Sequence, residues 1–154
     1  MTRETTSFVY VTYIASTPEK VFAAITTPEI ARRYWGHENV SSWQRGARWE
    51  HVKADDARTV ELVGEVIEHD PPKRLVISWA NASEAHQPES HSRVTFEIER
   101  YQDMARLTVS HDDLIAGSGM AKGISKGWPI VLSSLKSYLE TGRGLDVFAK
   151  PASA

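Results

Sequence analysis

The sequence predicts an α+β domain in which a curved antiparallel sheet of about six to seven strands packs on one long C-terminal helix. Three observations lead to this prediction. Apolar and polar residues alternate near the N-terminus and again through the central part of the chain. A wide apolar stripe at helical spacing follows the alternating region. The segments between the predicted strands are too short for the crossovers that parallel strands need.

The first strand and the two short helices after it have recognisable signals. Ser16 or Thr17 can cap a first helix, and Pro18 fits its first turn. The same start signal recurs at 27–29 for a second short helix, which we expect to end near Trp35. In the preceding "SFVYVTYIAS" the alternation places four side chains on one face of a strand: Phe8, Tyr10, Thr12 and Ile14.

Six successive strands are predicted in the central region, and we expect neighbouring strands to pair as an antiparallel meander. Pro71 and Pro72 forbid continuation of a strand and mark a turn. The polar segment "ASEAHQPES" contains a proline and is expected to form a loop. The predicted strands lie in "VSSWQ", "GARWEHVKA", "RTVELVGEVIEHD", "KRLVISWAN", "HSRVTFEIER" and "MARLTVSHDDL".

The long helix is predicted within "SKGWPIVLSSLKSYLETG", residues 125–142. Gly142 stands where a helix terminator belongs, and Pro129 either starts the main helix or kinks it near Gly127. One face of an antiparallel sheet needs cover, and only this helix is long enough to supply it. We therefore expect its apolar stripe to lie across the concave face of the sheet: Trp128, Leu132, Leu135 and Leu139.

The glycine-rich segment "AGSGMAKGISKG" precedes the long helix. It lacks the spacing of a phosphate-binding loop and does not follow a buried parallel strand. We expect it to be a flexible lead-in to the helix that could gate a cavity.

Composition narrows the classes of protein. The chain has 154 residues, which suits one domain, and 41% hydrophobic with 25% charged residues is near the average for globular proteins. The formal net charge of -2 provides no basic surface for nucleic acid. The absence of cysteine excludes disulfides, thiolate metal sites and cysteine nucleophiles. No apolar run approaches the roughly 20 residues of a membrane span, so we expect a cytoplasmic protein.

Four stretches carry a resemblance to a known family: "IASTPEKVFAAITTPEIARRYW", "GARWEH", "GEVIEHDPPKRLVISW" and "GWPIVLSSLKSYLETG". Their order resembles the SRPBCC superfamily of helix-grip proteins, which includes START lipid-transfer domains and birch-pollen-allergen-like proteins. More narrowly, it resembles the family of the C-terminal domain of the activator of heat-shock protein 90 ATPase. The resemblance implies a curved sheet gripping the C-terminal helix, often with a pocket for an apolar ligand between them.

The resemblance also bears on domain organisation and chemistry. We expect residues 1–145 to form one helix-grip domain and 146–154 to form a flexible tail. The eukaryotic activator has a separate N-terminal domain that makes much of the chaperone contact, whereas one domain occupies this chain. No set of catalytic residues runs through the family, so the resemblance implies none here.

The tryptophans and the apolar faces of the strands and the long helix supply the residues that could line the pocket. Ordinary core packing is the alternative for the large aromatic residues. Polar residues between them, such as Glu50, His51 and Glu61, could point inward, but an error of one residue in register reverses the face. The candidate site residues are Trp35, Trp49, His51, Leu62, Trp79, Phe96, Trp128, Leu132 and Leu135.

The histidines suggest no metal site, because none has the spacing of a metal-binding motif. His111 with Asp112 and Asp113 is expected just after a strand end, where a His–Asp pair could act as a general base. No nucleophile is identifiable near it in sequence, which counts against this hypothesis.

The sequence therefore predicts a protein that binds an apolar or amphipathic small molecule between sheet and helix, without a cofactor, a metal or assigned catalytic residues. One alternative is an interaction module, as a chaperone cofactor or in a stress response. A second alternative is a cyclase- or hydrolase-like enzyme, since such chemistry can rely on positioning. The protein is expected to be a monomer or a homodimer.

Overall fold

The computed structural model describes residues 4–145. The order of elements is the predicted one: a strand, two short helices, six strands and a long helix. The strands and helices are β1 (Thr5–Ile14), α1 (Pro18–Thr26), α2 (Pro28–Trp35), β2 (His37–Ser41), β3 (Arg48–Lys53), β4 (Val60–Asp70), β5 (Arg74–Asn81), β6 (Ser92–Tyr101), β7 (Met104–Ile115) and α3 (Gly119–Thr141). Two single-turn 3₁₀ helices, Ala82–Glu84 and Pro88–Ser90, lie in the predicted loop between β5 and β6.

The seven strands form one antiparallel sheet in the order β1-β7-β6-β5-β4-β3-β2. The α+β helix-grip prediction is confirmed. Strand pairing aligns Tyr10 with Val109, Val109 with Phe96, and Phe96 with Leu75. This row crosses four strands, and its members belong to the core or pack against it. The β4–β5 turn contains a cis peptide bond between Pro71 and Pro72.

The two short helices close one end of the sheet. Thr17 caps α1, because its hydroxyl accepts a hydrogen bond from the Lys20 backbone N–H at 3.2 Å. The Tyr34 hydroxyl donates to the Ala24 carbonyl at 3.0 Å and so joins α2 to α1. Gly36 ends α2 in the left-handed conformation, with φ of 71°.

The long helix α3 begins earlier than the sequence predicts. The expected flexible lead-in is wrong, because residues from Gly119 onward are helical and Pro129 lies inside the helix. Ser118 caps this start by accepting a hydrogen bond from the Ala121 N–H at 3.1 Å. Ala121 and Ile124 are buried in the core, so tertiary packing outweighs the poor helix propensity of the glycines.

The apolar stripe of α3 packs on the sheet as expected. Trp128, Leu132 and Leu135 are buried, and Leu139 is partly buried against the same core. The helix ends where Gly142, with φ of 85°, donates its N–H to the Tyr138 carbonyl at 2.8 Å.

The strand predicted in "VSSWQ" is displaced toward the N-terminus, since β2 covers His37–Ser41. Trp43 lies outside it with φ of 63°, a left-handed conformation that no strand contains. Its indole N–H donates to the Thr26 carbonyl at 3.0 Å, which ties this turn to the end of α1.

No helix among residues 4–145 combines the length and the apolar character needed to cross a membrane. The flexible tail expected at 146–154 lies outside the described residues.

Candidate functional site

A cavity of about 130 Å³ lies between the sheet and the N-terminal half of α3. Five of the nine candidate residues from the sequence line it: Trp35, His51, Leu62, Trp79 and Trp128. The remaining wall comes from α3 residues that sequence reasoning missed: Gly123, Ile124, Gly127 and Val131. That any of these residues contacts a ligand stays a prediction.

The other four candidates are buried but do not line the cavity. Leu132 and Leu135 lie farther along α3, and Phe96 contacts Trp128 edge-on with ring centroids 5.8 Å apart. The Trp49 indole N–H donates to the Ser78 carbonyl at 2.7 Å, so its polar atom is used within the sheet. Trp49 and Phe96 therefore contact the cavity-lining rings of Trp79 and Trp128, respectively.

Four aromatic rings form a closed cycle of contacts at the cavity. Trp35 contacts His51 with ring centroids 4.7 Å apart, and His51 contacts Trp79 at 6.0 Å. Trp79 contacts Trp128 at 5.4 Å, and Trp128 contacts Trp35 at 5.7 Å. All four rings line the cavity, whose wall is therefore mostly apolar.

The hydrogen bonds of His51 determine its tautomer. Asn39 donates its amide Nδ2 to the Ile25 carbonyl at 2.9 Å, so its Oδ1 is free to accept. His51 Nδ1 lies 2.7 Å from that Oδ1 and must carry the hydrogen. Burial, and secondarily the nearby His37, lower the pKa of His51 well below its ordinary value. The ring is therefore neutral near pH 7, and its Nε2 is a bare acceptor.

His37 covers the other side of the His51 ring. The two imidazoles stack with centroids 4.4 Å apart and only 3° between their planes. His37 Nε2 is 2.6 Å from Glu61 Oε1, and Nδ1 is 3.2 Å from the Trp35 carbonyl oxygen. His37 thus holds His51 in place from the rim of the site.

Three polar side-chain atoms of the cavity residues have no protein partner among residues 4–145: Trp35 Nε1, Trp79 Nε1 and His51 Nε2. The indole Nε1 of Trp79 is buried without a hydrogen-bond acceptor. His51 Nε2 has no donor, since the one hydrogen bond of that side chain is made by Nδ1. The site therefore offers two unused indole donors, of which only that of Trp79 is fully buried, and one unused acceptor.

His111 belongs to a relay that orients Trp128. Trp128 Nε1 donates to His111 Nδ1 at 3.1 Å, and His111 Nε2 lies 2.7 Å from Ser92 Oγ. Ser92 Oγ donates in turn to the Trp79 carbonyl at 3.1 Å. His111 and Ser92 each accept one hydrogen bond and donate one, so His111 carries its hydrogen on Nε2.

The general-base hypothesis for His111 is wrong. The residue lies within β7, fully buried, rather than after a strand end. Both ring nitrogens are engaged by Trp128 and Ser92, and alternation along the strand directs the adjacent Asp112 to the opposite face. Burial lowers the pKa of His111 to about 4, although Asp112 acts to raise it.

Gly123 and Gly127 leave one side of the cavity open. A Cβ atom built on either glycine meets no atom within 4 Å. Both line the cavity and lie four residues apart on α3, so they share a helix face. Their spacing of four residues is the one sequence signal that the two glycines share a helix face, but the sequence alone does not place that face over the sheet.

Other polar clusters are structural. Glu38 is buried and bonded to Arg32 at 2.9 Å and to Arg58 at 2.8 Å, which balances its charge. Within residues 4–145, no three side chains of His, Cys, Asp or Glu come together as a metal site would require.

Comparison with known proteins adds a family and a set of similar folds. The family model described as "Activator of Hsp90 ATPase homolog 1-like protein" matches residues 15–140. No curated protein matches the chain.

Several solved structures resemble the fold. The Aha1 dimer from Colwellia psychrerythraea superposes with a TM-score of 0.75 at 19% identity, covering 90% of this chain and 99% of that one. MLL2253 from Mesorhizobium loti superposes with a TM-score of 0.72 at 26% identity, covering 87% of this chain and 96% of that one. PFC0360w, an HSP90 activator from Plasmodium falciparum, superposes with a TM-score of 0.65 at 19% identity, covering 79% of this chain and 86% of that one.

Proposed function

The chain belongs to the Activator of Hsp90 ATPase homolog 1-like family, and we propose that it binds an apolar or amphipathic small molecule between the sheet and α3. The observation that carries the proposal is the closed cycle of contacts among Trp35, His51, Trp79 and Trp128 in the wall of the cavity between the sheet and α3. Ligand sites are concave and mostly apolar with a few polar groups, and this cavity has that composition.

The cavity volume limits what enters. An engineered apolar cavity of roughly 150 Å³ holds one benzene molecule, whereas sites for drug-sized ligands begin at about 300 Å³. The present cavity, at about 130 Å³, therefore suits one ring-sized group. A longer ligand would insert that group between the tryptophans and extend past Gly123 and Gly127, where added atoms meet open space.

The test is mass spectrometry of the freshly purified protein, under native conditions and after denaturing extraction. We expect a co-purified small molecule in stoichiometric amount, or binding of a single-ring aromatic compound when one is added. Gly127→Leu should abolish binding because the new side chain occupies the open wall. Gly119→Leu is the matched control, since it also adds a side chain to α3 in open space but away from the cavity. Equal binding by both variants would contradict the proposed site.

A chaperone-cofactor role is the second candidate. It is favoured by the family description and by the similarity to a protein named as an HSP90 activator. The test is retention of an Hsp90-type chaperone on the immobilised protein, together with the chaperone's ATPase rate. Retention with a raised rate would support this role, and neither effect at micromolar concentrations would count against it.

A further inference from the structure

We propose that the cavity selects a ligand whose buried end carries a neutral group that both donates and accepts a hydrogen bond. A hydroxyl on an aromatic ring is the simplest such group. The inference rests on the proposed function and specifies the chemical class of its ligand.

The first argument is the unused indole of Trp79. Buried polar groups are nearly always hydrogen-bonded, and leaving one unpaired is costly. The indole N–H groups of Trp43, Trp49 and Trp128 donate to Thr26, Ser78 and His111, respectively. The indole N–H groups of Trp35 and Trp79 have no partner among residues 4–145, and of the two only that of Trp79 is fully buried. A ligand atom that accepts a hydrogen bond would satisfy it.

The second argument is the fixed tautomer of His51. The Asn39 amide, itself held by the Ile25 carbonyl, keeps the hydrogen of His51 on Nδ1. Nε2 is therefore an acceptor that has no hydrogen-bond partner among residues 4–145. A ligand atom that carries a hydrogen would satisfy it.

Together the two nitrogens define the ligand group. The His51 and Trp79 rings are 6.0 Å apart between centroids, and both line the cavity. One small ligand can therefore contact both rings. The residues described as lining the cavity include no lysine, arginine, aspartate or glutamate, so a charged group would lose its hydration without compensation. A neutral hydroxyl meets all of these conditions within the available volume.

The experiment compares phenol, anisole and toluene, which share one ring and differ in hydrogen bonding. Binding to the unaltered protein is measured by titration followed in ¹H–¹⁵N NMR spectra. A purely apolar cavity favours toluene, because phenol must give up its hydrogen bonds to water. We expect phenol to bind about tenfold more tightly than toluene, with anisole weaker than phenol because it cannot donate to His51.

A variant locates the effect. Trp79→Phe keeps an aromatic ring but removes the indole N–H. In this variant phenol should no longer bind more tightly than toluene, while toluene still binds. A thermal unfolding curve verifies that the variant folds. If it does not fold, the three-ligand comparison on the unaltered protein still decides. Toluene binding as tightly as phenol, or more tightly, would overturn the inference and leave the proposed function standing. Binding of none of the three would overturn both.

Discussion

Gly64→Ala should destabilise the protein strongly, because the Trp49 ring and the next strand leave no room for a side chain. A Cβ at position 64 would lie 1.9 Å from the Ser78 carbonyl oxygen and 2.4 Å from Trp49 Nε1. Trp49 donates to that same Ser78 oxygen at 2.7 Å. The methyl group would therefore displace both partners of a partly buried hydrogen bond.

The expected loss combines two effects. Overpacking a core typically costs about 1–3 kcal/mol, and leaving a buried donor without its acceptor costs about 1–3 kcal/mol. We expect a decrease of about 3 kcal/mol in the free energy of unfolding, since the strands relax in part. Trp49 also contacts Trp79 with centroids 5.4 Å apart, so ligand binding should weaken as well.

The assay is guanidinium unfolding followed by tryptophan fluorescence. Gly127→Ala is the matched control, because its new Cβ meets no atom within 4 Å. Replacing a glycine inside a helix should raise the free energy of unfolding by up to about 1 kcal/mol. A loss below about 0.5 kcal/mol for Gly64→Ala, against the 1 kcal/mol lower limit for overpacking, would refute the packing of Trp49 over Gly64.

Three further predictions concern stability and binding. The free energy of unfolding should fall as pH drops from about 6.5 toward 4, because burial lowers the pKa of His111 to about 4 and also lowers that of His51. As the pH falls, the histidines of the unfolded chain take up protons before those of the folded protein do. His111 alone should lower the free energy of unfolding by about 3 kcal/mol across that window. Equal free energies of unfolding in urea at pH 7.5 and pH 4.5 would contradict this prediction. Ser134→Ala should lower the free energy of unfolding by about 1–3 kcal/mol, because Ser134 Oγ donates to the Tyr34 carbonyl at 2.7 Å. An unchanged urea unfolding curve would contradict this prediction. Gly123→Ala should raise the thermal stability, because alanine favours a helix more than glycine does, and it should weaken toluene binding, because position 123 lines the cavity. Toluene affinity is measured by NMR titration, and an unchanged affinity would show that the ligand binds elsewhere.

The order and type of the elements could be predicted because their signals are local. The alternation that ends at Ile14 and the Thr17–Pro18 start of α1 depend on neighbouring residues only. The start of α3 could not be predicted in this way. Its glycines disfavour a helix, and the burial of Ala121 and Ile124 that outweighs them depends on distant parts of the chain.

The candidate site was predictable only in part for the same reason. Trp49 and His51 share one face of β3, yet only His51 lines the cavity, because the Trp49 ring passes over Gly64 instead. The location of His111 inside β7 depends on where the strand ends, which is the least reliable feature of a sequence pattern. The unused nitrogens of His51 and Trp79 depend on side-chain hydrogen bonds that no periodicity contains.

The most direct test of ligand binding in the cavity observes the Trp79 indole N–H itself. A ¹H–¹⁵N spectrum separates the indole signals of the tryptophans, and Trp79→Phe assigns the signal of interest by its disappearance. On titration with phenol, the structure predicts a saturable downfield shift of the Trp79 signal, with smaller shifts for Trp35 and Trp128, whose rings line the same cavity. Saturable phenol binding that left these three signals in place, or no binding at all, would contradict a ligand site between the sheet and α3.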